Sequence, residues 1–470
     1  MLLILVLPVI PHDNTTHLHQ QPSSVDSLLA MTRYASSRKR SLMSLSWSQL
    51  ACLAFLRLPR IVPRVLLPYT TSPNTPYPHV IRLPSREPGR SIYCWIFLPS
   101  EHELAQSTLA TSGTGRIPIH VDFHGGGFIM GQLSEQAPFC SMLARRLGAA
   151  VITVDYRLGP LDTHPAALHD AEDVVRCCVD ETFSVGYTAL RSHIAAFYSK
   201  TGSRNVQLDS TRLSLSGFSS GGNIALNMLV SCPDWPSPLH PSRHPYDIPA
   251  LLFFPSVDAR QLSHERPRPE GMPASDPSSW MSWLSRHMED AYLERWQRGE
   301  TRASPGLAQL SSDVERKQAV DRLIEVEHDE EAEGGSRSMA ARRAQASDVI
   351  IDLTEDSQSQ GSGSAGNELH SLSHCLLVLP TYDTLAHQSG LWLEALERAG
   401  RLAAPRDWDG EDGSGSRTHG VTPVYARDMP HGWTQFPDFA LSEEQKRSKY
   451  DVFDRSVEFV TTVWGGRQES

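Results

Sequence analysis

The sequence predicts an α/β fold built on a mostly parallel sheet flanked by helices, and three observations carry that expectation. Two strand-like runs each end in a glycine-rich bend: residues 117–123 lead into His124, Gly125, Gly126, Gly127 and Phe128, and residues 212–216 lead into Gly217, Phe218, Ser219, Ser220, Gly221 and Gly222. A third run, residues 375–380, is apolar throughout, as a parallel strand covered on both faces must be.

The second bend opens a helical run at residues 223–229, so a G-x-S-x-G pentapeptide sits on a strand-to-helix turn. That context gives the pattern its meaning, because a serine on so sharp a turn projects its hydroxyl above the sheet while flanking glycines avoid Cβ collisions. Ser219 is the candidate nucleophile. The first bend supplies three successive glycines whose N–H groups can point into a cavity, opposite the N–H of Ser220. Donors aimed at a developing oxyanion are commonly worth about 3–4 kcal/mol each in acyl transfer. Either motif alone arises readily by chance; both in this order, each on its expected element, do not.

In these residues the chain resembles the hormone-sensitive-lipase-like branch of the α/β-hydrolase family, which includes arylacetamide deacetylases and carboxylesterases. The resemblance runs from about Tyr93 to about Val460. It is carried by residues 121–128, by Val154, Asp155, Tyr156, Arg157, Leu158, Gly159 and Pro160, and by Pro165, Ala166, Ala167 and Leu168. Gly159 stands where the family has Ala, and Phe218 and Ser220 stand where it often has Asp and Ala. The resemblance implies Gly125, Gly126, Gly127 and Ser220 as the oxyanion hole, with Gly125 shaping the loop, and a helical cap over the pocket.

A serine nucleophile needs a base, and the base needs a carboxylate; in this fold they follow in the order Ser, acid, His. Asp383 follows the strand at 375–380, and His431 follows a strand at 421–426 in the sequence Met429, Pro430, His431, Gly432, Trp433. Both match the family's acid and base. Asp383 could instead only form a turn, and Asp428 is the local rival for the acid. His419 mimics the base but precedes the last strand. His124 reads as a hydrogen-bonding residue that shapes its loop.

Length alone would allow several domains in 470 residues, but the motif order points to one sheet-centred unit. Residues 1–90 read as an amino-terminal region with cap helices and an unassigned leader. Residues 91–470 form the hydrolase body, with a cap insertion at about 257–296 and a short insertion at about 401–420. Trp280, Met281, Trp283 and Met288 in the cap occur at nearly helical spacing and favour a hydrophobic acyl group. Residues 313–368 hold 14 acidic and 6 basic side chains and so carry most of the net charge of −11, leaving a nearly neutral body that argues against nucleic acid as a partner. Such a composition buries too little apolar area to offset chain entropy, so an insertion there is expected to be disordered. Within it Val349, Ile350, Ile351 and Leu353, bordered by acids, resemble a SUMO-interacting motif, which adds a strand to a partner's sheet edge. An inert apolar patch is the alternative.

Residues 1–10 are apolar but lack a basic start and a cleavage site. Arg38, Lys39 and Arg40 precede an apolar stretch at 42–56 that is short for a membrane span, so a cap helix, a membrane anchor and a misplaced secretory signal all stay open. Seven cysteines without C-x-x-C spacing give neither a zinc site nor a disulfide framework and fit a reducing, cytoplasmic setting. No cofactor or metal motif is present. The expectation is a serine hydrolase cleaving small hydrophobic esters through an acyl-enzyme. A non-catalytic small-molecule receptor of the same fold, or a dehydratase or cyclase of secondary metabolism, are the other readings.

Overall fold

The computed structural model describes residues 46–47, 50, 76–107, 115–201, 206–232, 235–240, 242–272, 291–308, 368–370, 373–399 and 420–465. The chain runs through β1 (His79–Pro84), β2 (Ser91–Phe97), α1 (Glu101–Gln106), β3 (Arg116–Phe123), α2 (Ala137–Leu147), β4 (Ala150–Val154), α3 (Ala166–Val179) and α4 (Ser184–Thr201). It continues through β5 (Gln207–Phe218), α5 (Ser220–Leu229), β6 (Val230–Ser231), β7 (Ile248–Phe253), β8 (Glu368–Leu369), β9 (Ser373–Tyr382), α6 (Ala386–Arg398), β10 (Gly420–Pro430) and α7 (Glu443–Gly465).

Eight strands share one sheet in the order β1-β2-β4-β3-β5-β7-β9-β10, antiparallel from β1 to β4 and parallel from β4 to β10. Period-two alternation decides what each strand gives to each face. Ile119, Val121 and Phe123 of β3, Leu213 and Leu215 of β5 and Leu377 of β9 enter one buried cluster, which α3, α5 and α6 cover. Leu251 and Phe253 of β7 and Leu376 and Val378 of β9 enter the opposite one, covered by α2 and α7 through Phe139, Leu143, Phe453 and Val460. The chain leaves β3 toward β4 and later returns on its other side as β5. Their carboxyl ends therefore flank a topological switch point, where open α/β sheets place their ligands.

Two boundaries differ from the sequence reading. The sheet begins before residue 91, because β1 pairs with β2 through a short turn at Ser85 to Arg90. Only Ile81 and Leu83 point inward from it, too few for the pattern to stand out. Glu368, the last residue of the expected acidic insertion, belongs to β8, which pairs with β6. The cap residues Trp280, Met281, Trp283 and Met288, residues 313–367 with Val349, Ile350, Ile351 and Leu353, residues 401–419 with His419, and residues 1–45 and 51–75 lie outside the described residues. Among the described residues six cysteines are free, and no helix is long and apolar enough to cross a membrane.

Candidate active site

Ser219 occupies the turn between β5 and α5 with φ 54° and ψ −114°, a conformation that non-glycine residues rarely adopt. Its amide donates to the Phe253 carbonyl at 2.9 Å, and its carbonyl accepts from Asn223 and Ser256. The glycines around it are there for space. A Cβ on Gly217 would stand 2.1 Å from the Gly221 carbonyl oxygen, and one on Gly221 would stand 2.0 Å from that of Phe123. The second approach also sets the start of α5 directly against the entry to the His124 loop.

Residues 124–131 turn back sharply. Ile129 and Met130 both donate to the Gly126 carbonyl, and Gly126 (φ 121°), Gly127 (φ 60°) and Phe128 (φ 64°) all have positive φ. Among the described residues no backbone hydrogen bond uses the amides of Gly125, Gly126 or Gly127, and Ser220, first in α5, carries a helix-initial N–H without an intrahelical acceptor. His124 has the structural part expected of it: buried, it bonds the Gly125 carbonyl through Nδ1 at 2.7 Å and stacks on Tyr156 at 4.3 Å. Tyr156 in turn donates to the His124 carbonyl at 2.6 Å.

His431 comes from the far end of the sheet. β10 is irregular between Ala426 and Pro430, and the shift brings Pro430 opposite Tyr382 and His431 over the switch point. Its Nε2 lies 3.0 Å from Ser219 Oγ and its Nδ1 2.8 Å from Asp383 Oδ2. Asp383 is 3% exposed, and its other oxygen accepts from the Leu385 amide at 2.9 Å. It is thus a turn-forming Asp and the imidazole's partner at once. Asp428 turns the other way: exposed and at φ 58°, it accepts a hydrogen bond from the Tyr382 hydroxyl, while its amide donates to Thr381 Oγ1. Phe254 escaped the sequence reading. Its ring meets His431 edge-on at 4.8 Å and packs on the buried Trp433, fixing the imidazole's back; the Phe253 and Phe254 pair at the end of β7 was its only signal.

A polar row beneath these loops also escaped it. His120 and Asp122 project from β3 into the layer that the apolar residues of the other strands fill, and both are completely buried. Asp122 accepts from Ser216 Oγ at 2.5 Å, from Thr153 Oγ1 at 3.1 Å and from the Cys140 thiol. His120 bonds Ser214 Oγ through Nδ1 at 2.7 Å and Ser216 Oγ through Nε2 at 2.8 Å. Burial pushes the Asp122 carboxyl up to about 7 against the opposing pull of its three donors, and it drives the His120 imidazole down to about 3.

Residues 120–346 match the profile of a family described by the α/β hydrolase fold. An AB hydrolase superfamily protein of Schizosaccharomyces pombe is 24% identical over 204 residues, covering 41% of this chain and 52% of that protein. Carboxylesterase 20 of Arabidopsis thaliana is 34% identical over 131 residues, 27% of this chain and 34% of the relative, and the 3-O-acetylpapaveroxine carboxylesterase CXE2 of Papaver somniferum is 32% identical over 136 residues, 28% and 37%. The matches thus span about half or less of these curated relatives. The solved structure of EstE1, a thermophilic carboxylesterase cloned from a metagenomic library, superposes with a TM-score of 0.50 at 15% identity, covering 90% of this chain and 99% of that one, a likeness of fold. The chain has the α/β hydrolase fold, and over these stretches it is similar to carboxylesterases.

Proposed function

We propose that this protein is a serine carboxylesterase that cleaves small hydrophobic esters through an acyl-enzyme intermediate. The observation that carries the reading is the continuous relay from Asp383 through His431 to Ser219, with hydrogen bonds of 2.8 and 3.0 Å. His431 takes the Ser219 proton as the oxygen attacks the ester carbonyl. Asp383 holds the imidazole with Nδ1–H toward itself and Nε2 free to accept, and it stabilises the imidazolium that forms. The tetrahedral oxygen is received by the amides of Gly126, Gly127 and Ser220. His431 then returns the proton to the leaving alcohol, and water repeats the sequence on the acyl group.

The tested variant is Ser219→Ala, since loss of the nucleophile commonly costs roughly a millionfold in turnover. The wild-type protein should take up a fluorophosphonate probe and hydrolyse p-nitrophenyl esters, and the variant should do neither while keeping its melting transition. Undiminished labelling of the variant would overturn the assignment of Ser219. Labelling of the wild type without turnover of any ester in a chain-length series would favour the dehydratase or cyclase reading.

A further inference from the structure

The two loops of the proposed site leave the sheet from adjacent strands, β3 and β5, so their relative placement depends on how those strands are tied near their carboxyl ends. Backbone register pairs Asp122 with Ser216 on one side and with Thr153 on the other, one step below Phe123 and Gly217. The side chains repeat that pairing. Thr153 of β4, Asp122 of β3 and Ser216 of β5 form one hydrogen-bonded row, and His120 with Ser214 forms the next, joined to the first through Ser216. Cys140 adds a contact from α2, the helix into which the oxyanion loop runs.

With the Asp122 carboxyl ionised, the proton pattern of the row is determinate. Ser216 donates to Asp122, so it accepts from His120 Nε2–H, and the neutral ring's Nδ1 accepts from Ser214. Every buried oxygen and nitrogen of the two β3 side chains therefore has a partner, and the partners come from both neighbouring strands, β4 and β5, and from α2. Apolar residues at these positions would fill the same space without specifying a register; hydrogen bonds specify it.

We propose that Asp122 is a positioning residue that holds the oxyanion loop and the Ser219 turn in catalytic register by binding β4, β5 and α2 at once. This rests on the serine-esterase reading for its kinetic consequence. Catalytic geometry is sensitive, a displacement of about 1 Å costing roughly a hundredfold in rate. The experiment compares Asp122→Leu, Asp122→Asn and the milder Ser216→Ala with the wild type, using p-nitrophenyl butyrate kinetics and amide hydrogen exchange at Ile129 and Met130, whose amides close the loop on the Gly126 carbonyl. Asp122→Leu is expected to lower kcat by about 10- to 100-fold with KM changed less than about threefold, and to speed exchange in the loop. Asp122→Asn, which keeps the shape and one accepting oxygen and whose NH2 can donate to a hydroxyl that turns to accept, should restore most of both, and Ser216→Ala should fall between. If Asp122→Leu melts lower but keeps wild-type kcat and loop exchange, the row is merely structural and the proposal is overturned; if it does not fold, unchanged kcat and exchange in Ser216→Ala overturn it equally. A wild-type protein that neither labels nor hydrolyses ester fails the esterase reading instead, and the exchange comparison then still decides the role of Asp122.

Discussion

Replacing Asp122 by Asn should make the protein's stability less sensitive to pH, by an amount that follows from the burial of the group. Asp122 is fully buried, and its carboxyl lies at about 7 against 3.8 in an exposed reference. Three units correspond to about 4 kcal/mol at 1.36 kcal/mol per unit. Because the folded value is the higher one, the folded state binds more protons than the unfolded state between these pH values. The contribution of Asp122 is therefore fully present below 3.8 and is lost as pH rises through about 7. Asn has the same shape and no proton to lose, so the stability of the variant relative to wild type should rise by about 1.4 kcal/mol per pH unit across this window and level off above it. His120, held down at about 3, acts in the opposite sense, its contribution present above 6.5 and lost as pH falls. It is common to both proteins and cancels in the difference, and burial holds the neighbouring Cys140 thiol well above its usual range, so it stays protonated throughout. Urea unfolding followed by tryptophan fluorescence, at constant ionic strength from about pH 4.5 to pH 8.5, measures the difference directly. A difference independent of pH would refute the argument, and one that falls with pH would mean that the three donors outweigh the cost of burying the charge.

Asp383→Asn should preserve the site's shape but favour the wrong imidazole tautomer, lowering ester turnover by about 10⁴; Asp428→Asn, at an exposed position that bonds Tyr382, should stay within about twofold, and a reversal in steady-state kinetics would move the acid to Asp428. Gly126→Ala should lower kcat by about a hundredfold with little change in KM, because its Cβ would stand 2.2 Å from the Met130 carbonyl oxygen at φ 121°; full activity would mean that the loop is not part of the oxyanion hole. Deleting residues 313–367, which spares β8, should leave melting temperature and short-ester turnover nearly unchanged, since loop closure costs only about 0.6 kcal/mol per doubling of length; loss of folding would make the stretch part of the body.

What was legible in the sequence is what local sterics demand. Gly217 and Gly221 are glycines because carbonyl oxygens stand about 2 Å from where a Cβ would be, and such a need is written into the pentapeptide itself. His431 and Asp383 lie 48 residues apart, and only the family's chain order linked them. The turn role of Asp383 did not compete with its place beside His431, because its two oxygens serve one role each.

Strand pairing is a different kind of information. Period-two alternation says that His120 and Asp122 share a face of β3, and that Ser214 and Ser216 share a face of β5, but a strand's own sequence does not say which residues of another strand lie beside it. Register supplies that, setting Thr153, Asp122 and Ser216 in one row, and it turns what reads as a polar flaw in a buried strand into a satisfied network. The same residues in a register shifted by one would point into the opposite, apolar layer without partners. The polar row therefore selects against slippage at the two strands whose ends carry the glycine loop and Ser219. A local departure from the apolar pattern is thus found where the placement of the site demands it.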